Sequence, residues 1–325
     1  MDFFNKSEQE ILLQAKNIVV GFSGGADSTL ALYAVDHFLQ THGQAKKLSA
    51  IYVDHQTQAK STDWLKHCES FCAEQSISFD SQCVEIKQSG QGYEAAARSA
   101  RQDIFSSYDQ GTVIVLGHHM DDQAETVFFR VLRGTGLKGL TGIQRHTTLK
   151  GKDLIRPLLH VSKEEILQFL EKHDLSYIED DSNRDNSYSR NFLRNKVIPL
   201  IVERWPGAKN NTARMANLLT KQSKLYHQFL TEKLKTICDE DGLHLDKLSK
   251  LDYFERAELI RIWLDQQSFA SPNESQMKEL EKSFFQSRQD ANPIIKFYRE
   301  DAQKTGVVLS KINNYLIAEE LNERT

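Results

Sequence analysis

Apolar positions in the first half of the chain switch between two periods. Ile18–Phe22, Leu48–Val53 and Val113–Leu116 are short runs of β-branched and aliphatic residues, with a weaker one at Ser78–Glu85, and have the length of buried strands. Between them, Ser28–Leu39, Thr62–Gln75 and Tyr93–Ser107 space apolar residues three and four apart, as one face of a helix requires. This alternation predicts an α/β fold, a parallel sheet with helices on both faces. Lys163–His173 reads as a further helix, with Ser162 as N-cap and Glu165 completing a capping box. Trp205-Pro206-Gly207 interrupts the pattern just before a long helical stretch, Asn210–Asp239. A boundary is therefore placed near Lys209–Thr220, giving an N-terminal domain over 1–212 and a smaller helical or α+β domain over 213–325. Tyr253–Gln267 and Glu274–Ser287 are expected as helices of the second domain, and Pro293–Tyr298, Gly306–Ile312 and Tyr315–Ala318 as short strands.

Ligands of open parallel sheets bind beyond the carboxyl ends of the strands. The notable polar residues fall there: Ser23–Ser28 after the first strand, Asp54-His55 after the second, and His118-His119-Met120-Asp121-Asp122 after Val113–Leu116. In Ser23-Gly24-Gly25-Ala26-Asp27-Ser28, two adjacent glycines can take positive φ, and a helix opens directly afterwards. The unpaired N–H groups of that helix end suit a phosphate, the serine hydroxyls add donors, and Asp27 could hold a magnesium ion. A plain strand-to-helix turn with an N-cap uses the same residues. Neither GxxxxGK[ST] nor a strand-borne GxGxxG occurs, which excludes a Walker A loop and a dinucleotide fingerprint. S-G-G-x-D-S in this setting resembles the PP-loop of the ATP pyrophosphatase superfamily, whose members adenylate a substrate and release pyrophosphate.

Composition narrows the class. The chain has 325 residues with 39% hydrophobic and 26% charged, and its mean hydropathy is −0.52. No apolar run approaches a bilayer span, and the N-terminal MDFFNKSEQEILLQAK lacks the layout of a signal peptide, so a cytoplasmic protein without a membrane partner is expected. Cys68, Cys72, Cys83 and Cys238 contain no C-x-x-C and read as buried free thiols rather than metal or cluster ligands. Net charge is −4, yet the basic residues are concentrated. Arg130, Arg133, Lys138, Arg145, Lys150, Lys152 and Arg156 face a single acid, Asp153, in one stretch. Arg184, Arg190, Arg194, Lys196, Arg204, Lys209 and Arg214 face Asp185 and Glu203 in another. Two such tracts in an acidic chain are the footprint of a polyanion surface, although each alone is equally consistent with a solvated face.

Three further segments carry candidate chemistry. With a helix starting near Asp121, Asp122 and Glu125 share one face, which suits a cationic amine or magnesium beside a nucleotide. Arg133-Gly134-Thr135-Gly136-Leu137-Lys138-Gly139-Leu140-Thr141-Gly142 is too rich in glycine for a stable helix and reads as a loop able to close on an anion or an RNA backbone. Arg98 and Arg101 lie one turn apart in Tyr93–Arg101, placed either to stabilise phosphate charge or to sit on a helix surface.

S-G-G-A-D-S, Y-V-D-H, E-A-A-A-R, G-H-H-M-D-D-Q-A-E-T, R-G-T-G-L-K-G-L-T-G-I, I-R-P-L-L and E-D-D-S-N…Y-S-R-N occur in the order seen in the tRNA(Ile)-lysidine synthetases, and the chain resembles that family over its first two-thirds. The last third resembles the family's second domain without a sharp motif, and a further C-terminal domain of some members is not expected in this sequence. The resemblance implies a ligase using ATP and Mg2+, with tRNA(Ile) bearing a CAU anticodon and free L-lysine as partners. It implies ATP at Ser23, Gly24, Gly25, Ala26, Asp27, Ser28, Val53 and His118, with Asp27 as the magnesium ligand. Asp27 and Arg98 would be catalytic, Asp122 and Glu125 would bind lysine, and Arg133, Lys138, Arg190 and Arg194 would contact tRNA. The resemblance leaves a homodimer open. A tRNA thiolase, a small-molecule amide ligase and a non-enzymatic tRNA-binding module are the alternative readings; the cysteine spacing speaks against the first.

Overall fold

A computed structural model describes residues 2–54, 61–84, 93–179, 185–286, 292–298 and 305–321. His55, Glu85, Asp180–Arg184 and Ser287, named above, lie outside the described residues. The chain divides into two compact units, 1–220 and 221–325. The first unit runs α1 (Lys6–Gln14), β1 (Asn17–Gly21), α2 (Ala26–Thr41), β2 (Leu48–Asp54), α3 (Ser61–Glu74), β3 (Ser78–Cys83), α4 (Tyr93–Ser107), β4 (Thr112–Val115), α5 (Met120–Leu132) and α6 (Leu137–Leu140). It continues with β5 (His146–Leu149), β6 (Lys152–Ile155), α7 (Lys163–Lys172), α8 (Ser189–Phe192), a π-helical turn at Leu193–Val197, α9 (Ile198–Arg204) and the start of α10 (Ala208–Leu234). The division between the units falls within α10.

The sheet of the first unit has the order β3-β2-β1-β4-β6-β5. Every neighbouring pair is parallel except β5 with β6, so the expected parallel sheet carries one antiparallel edge strand. That edge was not legible in the sequence. Its two strands are four residues each, joined by Lys150-Gly151 with φ of 46° and 82°, a two-residue hairpin of the type that matches strand twist.

Alternation along β1 divides the core as the sequence pattern requires. Ile18 and Val20, with Phe22 just beyond the strand, pack with Leu12 of α1, Leu30 of α2, Phe71 of α3 and Leu170 of α7. Val19 turns the other way, onto Ile104 and Phe105 of α4. Each fully buried aliphatic or phenyl group contributes about 1.5–3 kcal/mol relative to exposure. Long cationic side chains fasten α1. Lys47 Nζ donates to the carbonyls of Leu12, Leu13 and Ala15 at its C-terminal end, at 2.7, 2.9 and 3.2 Å. Arg145 donates to the buried Glu8 carboxylate at 2.6 and 2.8 Å.

The second unit contains β7 (Cys238–Asp239), β8 (Gly242–His244), α11 (Leu245–Ser249), α12 (Tyr253–Gln266), α13 (Glu274–Phe285), β9 (Ile294–Phe297), β10 (Val307–Ile312) and β11 (Tyr315–Glu320). Its antiparallel sheet has the order β7-β8-β11-β10-β9. Helix α10 stops at Leu234, short of the expected Asp239, because Cys238 and Asp239 pair instead with Leu243 and Gly242. The glycine-rich segment from Arg133 to Gly142 is also corrected, since Leu137–Leu140 forms a single helical turn. Gln123 explains its order: the side-chain oxygen accepts from Ile143 N–H at 2.6 Å, and the amide donates to Ile143 O at 3.1 Å.

No helix among the described residues is long and apolar enough to cross a membrane. All four cysteines are free; Cys68 and Cys72 are buried as expected, whereas Cys83 is exposed and Cys238 partly so.

Candidate functional site

At the carboxyl end of β1, Gly24 alone of the two glycines takes positive φ, at +76°, while Gly25 sits at −74° as the N-cap of α2. A Cβ on Gly24 would lie 3.0 Å from Cys68 Sγ and 3.1 Å from Ile178 Cδ1, so the position has neither the conformation nor the room for a side chain. Ile178 N donates to Gly24 O at 2.8 Å and holds the turn from outside. Helix α2 opens at Ala26, earlier than the sequence pattern suggested, and Gly25 provides no side-chain cap. The first-turn N–H groups are thus left for a ligand, at the positive end of the helix dipole. Ser28 Oγ accepts from Ser23 N–H at 3.1 Å and donates to Gly25 O at 3.0 Å, which fixes the loop internally.

Gly117 brings the next segment against this loop. A Cβ there would lie 2.6 Å from Asp27 O and 3.0 Å from Ser28 N, so only glycine lets the end of β4 run this close. His118 and His119 follow it directly. His119 is the N-cap of α5, and its N–H donates to the Asp122 carboxylate at 3.0 Å. Its ring lies 3.6 Å from Asp27 Oδ2, 3.6 Å from Asp121 Oδ2 and 3.5 Å from Asp122 Oδ2. Burial opposes charge on this imidazole, but hydrogen bonds to Asp121 and Asp27 and the charges of Asp122 and Asp27 outweigh it and raise the pKa to about 10. Nδ1 accepts from Asp121 N–H at 3.2 Å as the capping acceptor of α5, so the ring meets Asp27 and Asp122 through Nε2.

His118 is the opposite case. Burial, with the Arg156, Arg98 and Arg101 charges and against Asp122, lowers its pKa to about 4, so it is neutral; its Nδ1 is buried without a partner.

Each acid of the site is already matched by a cation from a later segment. Asp27 Oδ1 accepts from Lys163 Nζ at 2.6 Å. Burial alone would raise the Asp27 pKa, yet His119 and Lys163 keep it below the usual carboxylate range. Asp121 accepts from Lys163 N–H at 3.0 Å and from Lys209 Nζ, and is held low in the same way against its burial. Glu125 and Asp122 do share one face of α5, as the spacing predicted, but that face carries the Arg194 guanidinium. Arg194 Nε and Nη2 donate to the Glu125 carboxylate at 2.6 and 2.9 Å, and Nη2 reaches Asp122 Oδ1 at 3.3 Å. The Glu125 carboxyl is only 4% exposed, and burial raises its pKa while Arg194 draws it back. Arg194, expected to face RNA, thus sits on the acidic pair.

The remaining expected residues spread outward. Val53 is the penultimate residue of β2, and Arg133 and Lys138 are exposed, with Arg133 stacked 5.2 Å over Phe129. Arg190 Nη2 reaches Thr126 Oγ1 at 3.5 Å. Arg98 is exposed on α4, while the side chains of Tyr93, Glu94 and Ala95 lie outside the described residues. Sequence reasoning did not assign roles to His119, Lys163, Lys209 or Arg156. Lys163 carried a signal, as the first residue of a helix with a capping box. Lys209 and Arg156 were visible only as members of the basic tracts.

A phosphate-ready turn between β1 and α2, at the carboxyl edge of a largely parallel sheet, defines an α/β protein of the nucleotide-binding kind. Residues 2–201 match the model of the PP-loop domain, and the chain belongs to that family. Residues 243–299 match the TilS substrate binding domain. A tRNA(Ile)-lysidine synthase of Proteus mirabilis (strain HI4320) is 36% identical over 290 residues, covering 89% of this chain and 66% of that protein. The tRNA(Ile)-lysidine synthase of Escherichia coli O157:H7 is 36% identical over 287 residues, covering 88% and 66%. The chain thus spans about two-thirds of the length of these curated relatives. Among solved structures, the U34-tRNA thiolase of Methanococcus maripaludis aligns with a TM-score of 0.51 at 20% identity, over 66% of this chain and 78% of that one, a likeness of fold.

Proposed function

We propose that the chain is an ATP-dependent ligase that joins free lysine to carbon 2 of the wobble cytidine of tRNA(Ile) with a CAU anticodon. What supports this reading is one observation above all. An acidic pair that grips a cation, half-buried Asp122 and buried Glu125, lies on the helix whose N-cap touches the phosphate-ready loop. Similarity to tRNA(Ile)-lysidine synthases supplies the substrate names.

In the first step the cytidine carbon-2 oxygen attacks the α-phosphorus of ATP, and the bond to pyrophosphate breaks. The loop's N–H groups and Ser23 orient the phosphates, and Arg98 stabilises the adenylated base. In the second step the lysine ε-amine attacks carbon 2, the carbon–oxygen bond to AMP breaks, and the amine loses a proton. Asp122 and Glu125 hold the incoming amine, and Glu125, whose pKa burial raises, is placed to accept that proton. Neutral His118 can line the nucleotide pocket without repelling a cationic substrate.

Asp27 fits magnesium: its carboxylate is 34% exposed at the loop and would exchange Lys163 for the ion. Among the described residues no cluster of three or more His, Cys, Asp or Glu forms a metal site, which agrees with an ion held by one carboxylate and phosphate oxygens. When bound, magnesium neutralises the charge of departing pyrophosphate. Cys68 and Cys72 do not favour a thiolase, since burial pushes both thiols up to about 12.

The test is incubation with ATP, lysine and transcribed tRNA(Ile) bearing a CAU anticodon, followed by nucleoside mass analysis. A cytidine heavier by lysine minus water is expected. Pyrophosphate release no greater than in a tRNA-free control overturns the reading.

A further inference from the structure

The acids around His119 all have cations, whereas a neighbouring group of cations has no acids. Arg156 leaves β6 at the level of Leu116, one residue before Gly117, since Leu116 N–H donates to Ile155 O across the two parallel strands. Its side chain is only 7% exposed. Nη1 donates to Gln144 O at 2.7 Å, while Nε is buried with no partner. Arg98, Arg130 and Arg190 stand close enough to repel one another, and Arg98 also repels Arg156. Carbonyls and a hydroxyl of the 126–144 segment hold three of the four. Arg130 donates to Gly139 O and Gly142 O at 2.9 and 3.0 Å, Arg190 to Thr126, and Arg156 to Gln144. Among the described residues none of the four pairs with a carboxylate.

Burying a guanidinium with an unpaired N–H costs free energy unless a counter-charge arrives. Bringing three further guanidiniums beside Arg156 raises that cost, so the arrangement is built for an anion. The nucleotide loop is not that anion's place. It follows β1, two strand spacings from β6, about 10 Å away. Exposed Arg98, and exposed Arg133 and Lys138 on the adjoining glycine segment, extend the cluster to the surface.

We propose that Arg98, Arg130, Arg156 and Arg190 form a receptacle for one RNA phosphodiester, the phosphate beside the nucleotide whose base is modified. This rests on the tRNA reading above. The phosphate supplies the acceptor that Arg156 Nε lacks and fixes the base against His118 and the loop. Neutral His118 lets the anion and the base share one chamber.

The experiment measures binding of an anticodon stem-loop RNA with CAU anticodon by fluorescence anisotropy, across a salt series. Wild type is compared with Arg156→Gln, and natural RNA with RNAs carrying one methylphosphonate at successive loop positions. Loss of a charge-assisted hydrogen bond weakens binding about tenfold, and loss of one phosphate contact lowers the salt slope by about 0.7. One methylphosphonate is expected to cost wild type that tenfold and R156Q almost nothing. Should R156Q fail to fold, Arg98→Gln, at an exposed position, carries the same coupling test. Additive losses at every phosphate overturn the receptacle while leaving the ligase reading intact. A wild-type protein that binds no stem-loop overturns both. If R156Q binds RNA normally but is no longer inhibited by inorganic pyrophosphate, the anion is the leaving group and the proposal falls.

Discussion

Replacing Arg194 by methionine removes the partner of a carboxylate that is almost wholly enclosed. The side chain of Glu125 is 4% exposed and receives two guanidinium hydrogen bonds, at 2.6 and 2.9 Å. Breaking a fully buried pair costs about 3–5 kcal/mol, because the remaining charge is stranded. Arg194 itself keeps 38% exposure, so solvent screens part of the pair and about 2–3 kcal/mol is the better figure. The cost depends on pH. Burial already raises the Glu125 pKa against the pull of Arg194, and without Arg194 it rises further. A carboxyl whose pKa is raised on folding stabilises the fold only while protonated, and its contribution falls as pH climbs through the folded pKa. The deficit of R194M relative to wild type is therefore largest at pH 8 and shrinks towards pH 5. Urea denaturation at both pH values measures it, and at pH 8 a fall in melting temperature of about 5–10 °C should accompany it. A deficit below about 0.5 kcal/mol at pH 8, the range of an ordinary surface change, would show that the pair is not a buried charge contact. A deficit equal at the two pH values would refute the assignment to Glu125.

Asp27→Ala is expected to abolish pyrophosphate release with tRNA and ATP; adenylation at the wild-type rate would remove Asp27 from the site. Glu125→Ala should raise the Michaelis constant for lysine about tenfold or more, the loss of one charged hydrogen-bonding partner, and an unchanged value would reject it as a lysine contact. Gly117→Ala places a methyl 2.6 Å from Asp27 O. The strain, about 1–3 kcal/mol, should appear both as lost stability and as weakened ATP binding by calorimetry, and wild-type values for both would mean that the close approach is wrong. In thiol titration of the native protein, Cys83 should react first and Cys68 and Cys72 only on unfolding; fast labelling of Cys68 would contradict its burial under Gly24.

The sheet was legible because its central strands are buried on both faces and read as continuous apolar runs, Ile18–Val20 and Val113–Val115 being examples. Ser162 and Glu165 announced α7 because a capping box is a local signal, and the structure shows it, with Glu165 N–H donating to Ser162 Oγ at 3.2 Å. The β5–β6 edge was not legible, since four-residue strands with exposed positions such as His146 lack a distinctive pattern. The site divides in the same way. Segments contiguous in sequence, Ser23–Ser28 and His118–Glu125, could be singled out from motif and spacing. Their partners Lys163, Arg194 and Lys209 reach them across long stretches of chain, and a basic residue in a basic tract gives no sign of which acid it will meet. Arg194 shows the limit most clearly: its charge was read correctly, and its direction was not.

Those long reaches have a consequence for when the site comes into being. The Lys163 ammonium meets Asp27 across 136 residues, Arg194 meets Glu125 across 69, and Lys209 meets Asp121 across 88. Contacts of such separation carry the highest loop-closure cost and form late. On a ribosome, β1, β4 and α5 are complete well before the residues that neutralise their acids have been made. Until Lys163 has emerged, three carboxylates of α5 stand beside Asp27 with His119 as their one nearby partner from the segment already made. The repulsion among them keeps that end of the sheet loose. The chain thus assembles its scaffold first and cannot close its chemistry until the last cation of the unit arrives.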